Sequence, residues 1–277
     1  MYVKSYSGPK TQIQPEELQK HEATKIYVAE QKIDGHWCEA STNTNGEIVS
    51  LLSRSGTAFA DGMIEDIMGL QTSCPDSVFV GELEAGTEAA NVACLKRGHK
   101  VMHVFDVVKL LGQDVTKLTN DQRRVLLETA FMSCDEHITL TERVNSGFLE
   151  FFEQVTEQGG EGIVLKRCDA TYKQGKSTDW IRCKRHRYVD YFVMSIGCSN
   201  GGSPNFQVGL IIDGKMTRVA TIKNIPNGLD YDNLIGHVIE CKGFEVHQSG
   251  AIRHGHYCRT RNDKHKEECT LEAALIA

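Results

Sequence analysis

No C-x-x-C pair occurs among the ten cysteines of this 277-residue chain. The usual spacings of zinc sites and thioredoxin-like redox motifs are therefore missing, and thiols scattered in this way fit a reducing compartment. Eleven histidines are present, but His99, His103, His254 and His256 form no H-E-x-x-H or Cys–His array, so no zinc is assigned. No run of 18 apolar residues appears, and residues 1–9 lack an apolar core of signal-peptide length. The expectation is a cytoplasmic chain with no membrane partner. A basic excess is missing too: 31 Lys and Arg stand against 37 Asp and Glu, a net charge of −6. Taken alone, that argues mildly against a nucleic-acid partner. Internal repeats and low-complexity segments are also lacking.

What is present is ordinary globular composition, 40% hydrophobic and 25% charged, with length enough for one large or two modest domains. The charge is unevenly placed. Residues 166–187 carry eight basic side chains against Asp169 and Asp179, +6 in 22 residues. Such a run reads either as a solvated basic face or as a phosphate-binding one.

Periodicity and breakers predict helices over residues 15–23, 121–132 and 146–157. Strands are expected over 26–30, 77–83, 101–108 and 163–165. The mixture points to an α+β domain rather than a βαβ repeat. Past residue 187 the pattern changes to short strands, at 191–196, 207–212, 216–222 and 238–246, divided by turn clusters at 199–204 and 213–215. That is the size of a small all-β domain, for which a five-stranded OB-fold is expected. The predicted division is 1–188 and 189–277.

Chemistry-bearing residues recur in a definite order. Lys32-Ile33-Asp34-Gly35 closes a predicted strand; in isolation it reads as a D-G turn beside a surface lysine. Downstream come Ser53-Arg54-Ser55-Gly56, Gly81-Glu82-Leu83-Glu84 and Val104-Phe105-Asp106-Val107. Then follow the segment from Glu161-Gly162 to Leu165-Lys166, Trp180-Ile181-Arg182-Cys183-Lys184 and Arg261-Asn262-Asp263-Lys264, the last introduced by Ile252-Arg253-His254. Together these seven segments, spanning residues 32 to 264, resemble the ordered nucleotidyltransferase motifs of ATP-dependent DNA ligases and mRNA capping enzymes. The similarity is greatest to DNA ligases of the minimal phage or bacterial type.

The resemblance implies an adenylyltransferase (ATP-grasp-like nucleotidyltransferase) domain followed by an OB-fold domain, acting as a monomer on nicked duplex DNA. It implies ATP and Mg²⁺, with Mn²⁺ as a substitute. Lys32 takes the role of nucleophile on the α-phosphorus of ATP, for which its amine, normally protonated up to a pKa of about 10.4, must be freed of its proton. Asp34 and Glu161 take the role of metal ligands, since hard carboxylate oxygens suit Mg²⁺; Glu82 serves either the ribose or the metal. Glu30 matches the position that reads the adenine amino group and Phe105 the aromatic that stacks on the base. Arg54, Lys166, Arg182 and Lys184 place positive charge around phosphates, and Arg54 also serves the 5′-phosphate of the nick. Lys264 orients the leaving pyrophosphate. Two departures stand out. Trp37 replaces the arginine usual two residues after the glycine of the first motif, so a nucleotide or phosphate contact is either lost or replaced by stacking, while for a lone tryptophan core packing is the expected role. Arg182-Cys183-Lys184 replaces Lys-x-Lys and keeps both charges. Within the superfamily, an RNA ligase or a GTP-using guanylyltransferase is the alternative; outside it, a non-catalytic nucleic-acid binder.

Overall fold

A computed structural model describes residues 6–60, 64–84, 100–131, 136–198, 202–223, 225–226 and 228–277. Among the sequence expectations, His99, Cys94, Cys134, Met132 and the 199–201 part of a turn cluster lie outside the described residues. The chain divides into two compact units, residues 1–184 and 185–277. Among the described residues, no helix is long and apolar enough to cross a membrane.

In chain order, the first unit begins with β1 (Tyr6–Ile13), α1 (Leu18–Ala23), β2 (Tyr27–Gln31), β3 (His36–Thr42), β4 (Ile48–Ser53) and β5 (Val78–Glu84). It continues with β6 (Val101–Leu110), β7 (Gln113–Asp114), α2 (Asn120–Ala130), β8 (Ile138–Leu140), β9 (Arg143–Val144), α3 (Phe148–Glu157), β10 (Gly162–Arg167) and β11 (Gly175–Lys184). Two sheets result. One has the order β1-β11-β10-β2-β9; the other runs β4-β3-β5-β6-β7, with β8 paired to β6. The mixed α+β character expected of this half is present. Strands β3 and β4 escaped the sequence reading because polar and small residues interrupt their alternation (His36, Glu39, Ser41, Ser50).

Each helix is fixed to its sheet by identifiable side chains. Thr119 caps α2 by accepting from Gln122 N–H at 3.3 Å, while the Gln122 side chain accepts from Thr119 N–H at 2.9 Å, a reciprocal capping box. In α3, Phe148, Phe151, Phe152 and Val155 recur at helical spacing and bury against Ile163, Leu165 and Ile181 of the first sheet. Glu22 of α1 accepts from Gly147 N–H at 2.7 Å and Phe148 N–H at 3.1 Å, a carboxylate at the positive end of α3. Phe79, Leu83, Met102 and Val104 pack with Leu127 of α2 behind the second sheet. Asp106 and Arg123, 1% and 2% exposed, form a two-pronged pair at 2.6 and 3.1 Å that ties β6 to α2. Between the sheets Trp37, Val78, Val80 and Val108 meet Tyr172 and Trp180.

In the second unit β12 (Arg187–Cys198), β13 (Pro204–Ile212), β14 (Lys215–Ile222), β15 (Val238–Gly243) and β16 (His256–Thr260) form an antiparallel sheet ordered β14-β13-β12-β15-β16, followed by α4 (Leu271–Ile276). The long β12 changes partner midway: residues 187–192 pair with β15 and 192–198 with β13. Its core is Tyr191, Phe192, Phe206, Val208 and Ile239, on which Ala274 of α4 also packs.

Candidate active site

Lys32 follows the last residue of β2, and its N–H donates to Gly162 O at 2.9 Å. The lysine is thereby held at the mouth between the two sheets. Two glycines make the approach possible. At Gly162, φ is +136°, and a Cβ would stand 2.2 Å from Cys183 O. At Gly35 a Cβ would stand 2.5 Å from Leu83 O, so the loop from β2 to β3 can press against β5 only without a side chain.

Around Lys32 the structure gathers most of the expected residues. Glu161, just before β10, forms ion pairs with both Lys32, just past β2, and Lys184, the last residue of β11. Burial, and next the charge of Lys32, lower the pKa of the Lys184 amine, while Glu161 opposes the shift. Glu82 on β5 stands in register with Trp37 on β3. Burial pushes its carboxyl up to about 7; Lys32 and Arg54 pull it down, and Glu161 and Asp34 push it up. Asp34, Glu82 and Glu161 thus bear on one another beside the amine. That crowding of hard oxygen donors is the kind a divalent cation relieves. Among the described residues, no three Asp, Glu, His or Cys side chains are placed to hold a metal by themselves, so the donor set fits a cation only when a ligand supplies further oxygens.

A cavity of about 590 Å³, its open mouth included, runs inward from Lys32, within the usual range of ligand pockets. Arg54 and Glu82 line one part; Glu30, Phe105 and Lys166 line another. Glu30 is 1% and Lys166 2% exposed. Lys166 Nζ donates to Glu30 Oε2 at 2.5 Å and to Phe105 O at 3.2 Å, and lies 4.7 and 4.2 Å from the ring centres of Phe105 and Trp180. Burial lowers its pKa, against the opposing charges of Glu30 and Asp106. Lys166 therefore sits beside Glu30, rather than joining Lys184 and Arg54 as the sequence suggested. Arg182 is on β11, its Nε buried with no hydrogen-bond partner among the described residues. Trp37, 5% exposed, is a core residue that also lines the cavity. Sequence reading gave no role to Thr141, which donates to Glu30 at 3.1 Å, or to Arg143 and the Trp180 ring; Thr141 and Arg143 lie in a segment without any motif.

The basic run needs correction. Lys166 pairs with Glu30, Arg167 with Asp169, Lys173 with Asp179 and Lys184 with Glu161. At least half of its eight cations are matched within the chain, and one of these, Lys166, lines the cleft. It is not one open basic face. In the second unit Lys264 Nζ is 2.6 Å from Asp190 Oδ2, and Arg261 bonds Asp190, Glu240 and Asp263. The hydrogen bond from Arg261 holds the Asp263 carboxyl well below its ordinary range.

A sequence model of the ATP-dependent DNA ligase domain matches residues 82–184. Over that stretch, a little over a third of its length, the chain is similar to the ATP-dependent DNA ligase domain. The matched stretch contains Glu82, Phe105, Glu161, Lys166, Arg182 and Lys184; Glu30, Lys32, Asp34 and Arg54 precede it and Lys264 follows it. DNA ligase 4 of Kluyveromyces lactis is 24% identical over 248 residues, which take in 73% of this chain and 27% of that protein. A probable DNA ligase of Dictyoglomus thermophilum is 31% identical over 125 residues, 41% of this chain and 21% of that one. The chain thus spans about a quarter of the length of these curated relatives. A solved structure described as belonging to Lig E DNA ligases is 17% identical with a TM-score of 0.64, covering 93% of this chain and 99% of that one. A mycobacterial DNA ligase D with ATP gives 0.51 at 18% identity, covering 88% and 92%. Both likenesses are of fold.

Proposed function

We propose that this chain is an ATP-dependent DNA ligase that seals nicks in duplex DNA through an AMP group carried on Lys32. The observation that carries the reading is the cleft itself. A lysine amine stands at its mouth between carboxylates and cations, and a buried glutamate with aromatic rings stands deeper in.

In the first step Lys32 gives up its ammonium proton to water at the cleft mouth, and the free Nζ attacks the α-phosphorus of ATP; the N–P bond forms as the bond to pyrophosphate breaks, and pyrophosphate leaves with that electron pair. Arg54, Arg182 and Lys184 balance charge spreading over the phosphate oxygens. Asp34, Glu161 and Glu82 would hold Mg²⁺, or Mn²⁺ in its place, which supplies further positive charge to the phosphates. Next, a 5′-phosphate oxygen of the nick takes the AMP and Lys32 leaves as the amine. The 3′-hydroxyl then attacks that phosphate and AMP departs. Phe105 stacks on the base and Glu30 accepts from its amino group. The second unit acts as an OB-fold domain, a reading supported by its five strands and the partner change along β12. Lys264 in it orients pyrophosphate. We place the boundary of the two working domains near residue 188 and the protein in the cytoplasm as a monomer.

The test is to incubate the protein with labelled ATP or GTP and Mg²⁺, then chase with nicked duplex DNA. Label from ATP that leaves on the chase is the expected result; label from GTP would favour a capping-type enzyme, and release only by nicked RNA an RNA ligase. Lys264→Ala should lose about a hundredfold in labelling yet seal an already adenylylated nick within a fewfold of the parent, because no pyrophosphate takes part in the last step. Equal losses in both assays would remove Lys264 from the first step.

A further inference from the structure

At the deep end of the cleft several groups converge on one carboxylate. Glu30 Oε2 accepts from Lys166 Nζ at 2.5 Å and from Thr141 Oγ1 at 3.1 Å. Glu30 Oε1 is buried with no hydrogen-bond partner among the described residues, and the Arg143 Nη1 that stands 3.9 Å from this same oxygen is beyond hydrogen-bond reach. The Lys166 ammonium is itself enclosed: one N–H goes to Glu30, another to Phe105 O, and the Phe105 and Trp180 rings cover it. Two of its three N–H donors are thus committed away from any phosphate. Two donors on Oε2 leave Oε1 as the oxygen with open acceptor capacity.

We propose that Lys166 is a positioning residue that keeps Glu30 an acceptor-only reader of the nucleobase, and so sets a preference for a 6-amino over a 6-oxo purine. The inference rests on the reading that the cleft takes ATP with its base at the Glu30 end. A carboxyl group withdrawn from water tends to take up a proton unless a cation stands beside it. Once protonated it carries an O–H donor, and can then bond a carbonyl as well as an amino group. Ionised, it only accepts. An amino group donates to it, whereas a 6-oxo group would bring a second acceptor against it and leave both unsatisfied in a buried place. Discrimination between the two bases therefore depends on a cation that touches neither of them.

The experiment compares self-labelling efficiency with ATP and with GTP in the parent and in Lys166→Met, Lys166→Arg and Thr141→Val. Lys166→Met should lower the ATP:GTP ratio by at least about tenfold, and Lys166→Arg should keep most of it. Thr141→Val, nearly isosteric, should move the ratio in the same direction by about fivefold, the worth of one hydrogen bond. Should Lys166→Met not fold, Thr141→Val alone decides by the same ratio. An equal loss with both nucleotides in Lys166→Met would make Lys166 a phosphate contact and overturn the proposal, as would an unchanged ratio in Thr141→Val. A parent protein that takes label from neither nucleotide would fail differently: it would sink the ligase reading, and this inference with it.

Discussion

The two ends of the cleft use the same device, a lysine on a glutamate, in different surroundings. At the deep end the Lys166 and Glu30 side chains are 3% and 2% exposed. At the mouth Lys32 and Glu161 are 24% and 11% exposed, and a second lysine, Lys184 at 12%, shares the same carboxylate. A dry pair is costly to break, because either partner alone is an uncompensated buried charge, about 3–5 kcal/mol. A pair reached by water and shared among three groups rearranges at much smaller cost. The deep end is thus built to stay as it is and the mouth to change partners, which is what recognition and reaction respectively require.

The mouth is broken most completely by Lys32→Ala. Covalent labelling by ATP should fall below detection, at least about a thousandfold, since no other amine takes the nucleophile's place. The thermal midpoint should move by less than about 2 °C, because a partly exposed side chain is lost and Lys184 still accompanies Glu161. Labelling retained in the variant would take Lys32 out of the chemistry.

The wall between the ends is sharpened by Trp37→Arg, which restores the residue usual in the family. A guanidinium would replace an indole packed with Val78, Val80, Val108, Tyr172 and Trp180. A loss of about 3 kcal/mol is expected, read as a drop in thermal midpoint of roughly 6–12 °C. An unchanged midpoint with full labelling would mean that the arginine reaches the nucleotide after all.

Trp37 also marks how far the sequence could be read. Its core role was legible, since a lone tryptophan in a strand is usually packed, and so was the gathering of Lys32, Glu82 and Glu161, because their segments follow an order known from a family. Lys166 was misplaced for a physical reason. The family resemblance set it among the phosphate contacts, and only the pairing of Val164 with Glu30 across β10 and β2 reveals that it turns to a buried acid. Thr141 could not have been found, as its function lies in one hydrogen bond across 111 residues. Strands β3 and β4 were invisible because neither face of them is uniformly apolar.

A smaller effect separates the ends by pH. The Glu82 carboxyl, pushed up by burial to about 7, holds its proton in the folded chain over a range where the unfolded chain has released it, from about 4.3 upward. Stability contributed at this residue therefore falls as pH rises through that window and levels off above about 7. Glu82→Gln removes the dependence. Without nucleotide or metal, the variant should match the parent near pH 5 and exceed it near pH 8 by on the order of 2 kcal/mol. Melting curves at the two pH values check this; a variant that loses stability equally at both would show that Glu82 is ionised throughout.

The smallest effect lies outside the cleft, in the remainder of the basic run. If all eight of its cations met DNA phosphates, log affinity would fall against log salt with a slope of about −7 from this segment alone. Arg167 and Lys173 are already answered by Asp169 at 2.7 Å and Asp179 at 2.7 Å. These pairs are open to solvent, so they hold the cations weakly yet cancel their field at a distance. The double variant Arg167→Gln, Lys173→Gln should therefore change the salt slope for nicked duplex by less than about 1, where two true phosphate contacts would change it by about 1.8. Titrations of the parent and the double variant at several salt concentrations give both slopes directly. A difference near two would show that these side chains leave their acids for the DNA, and that the run acts as one phosphate-binding face after all.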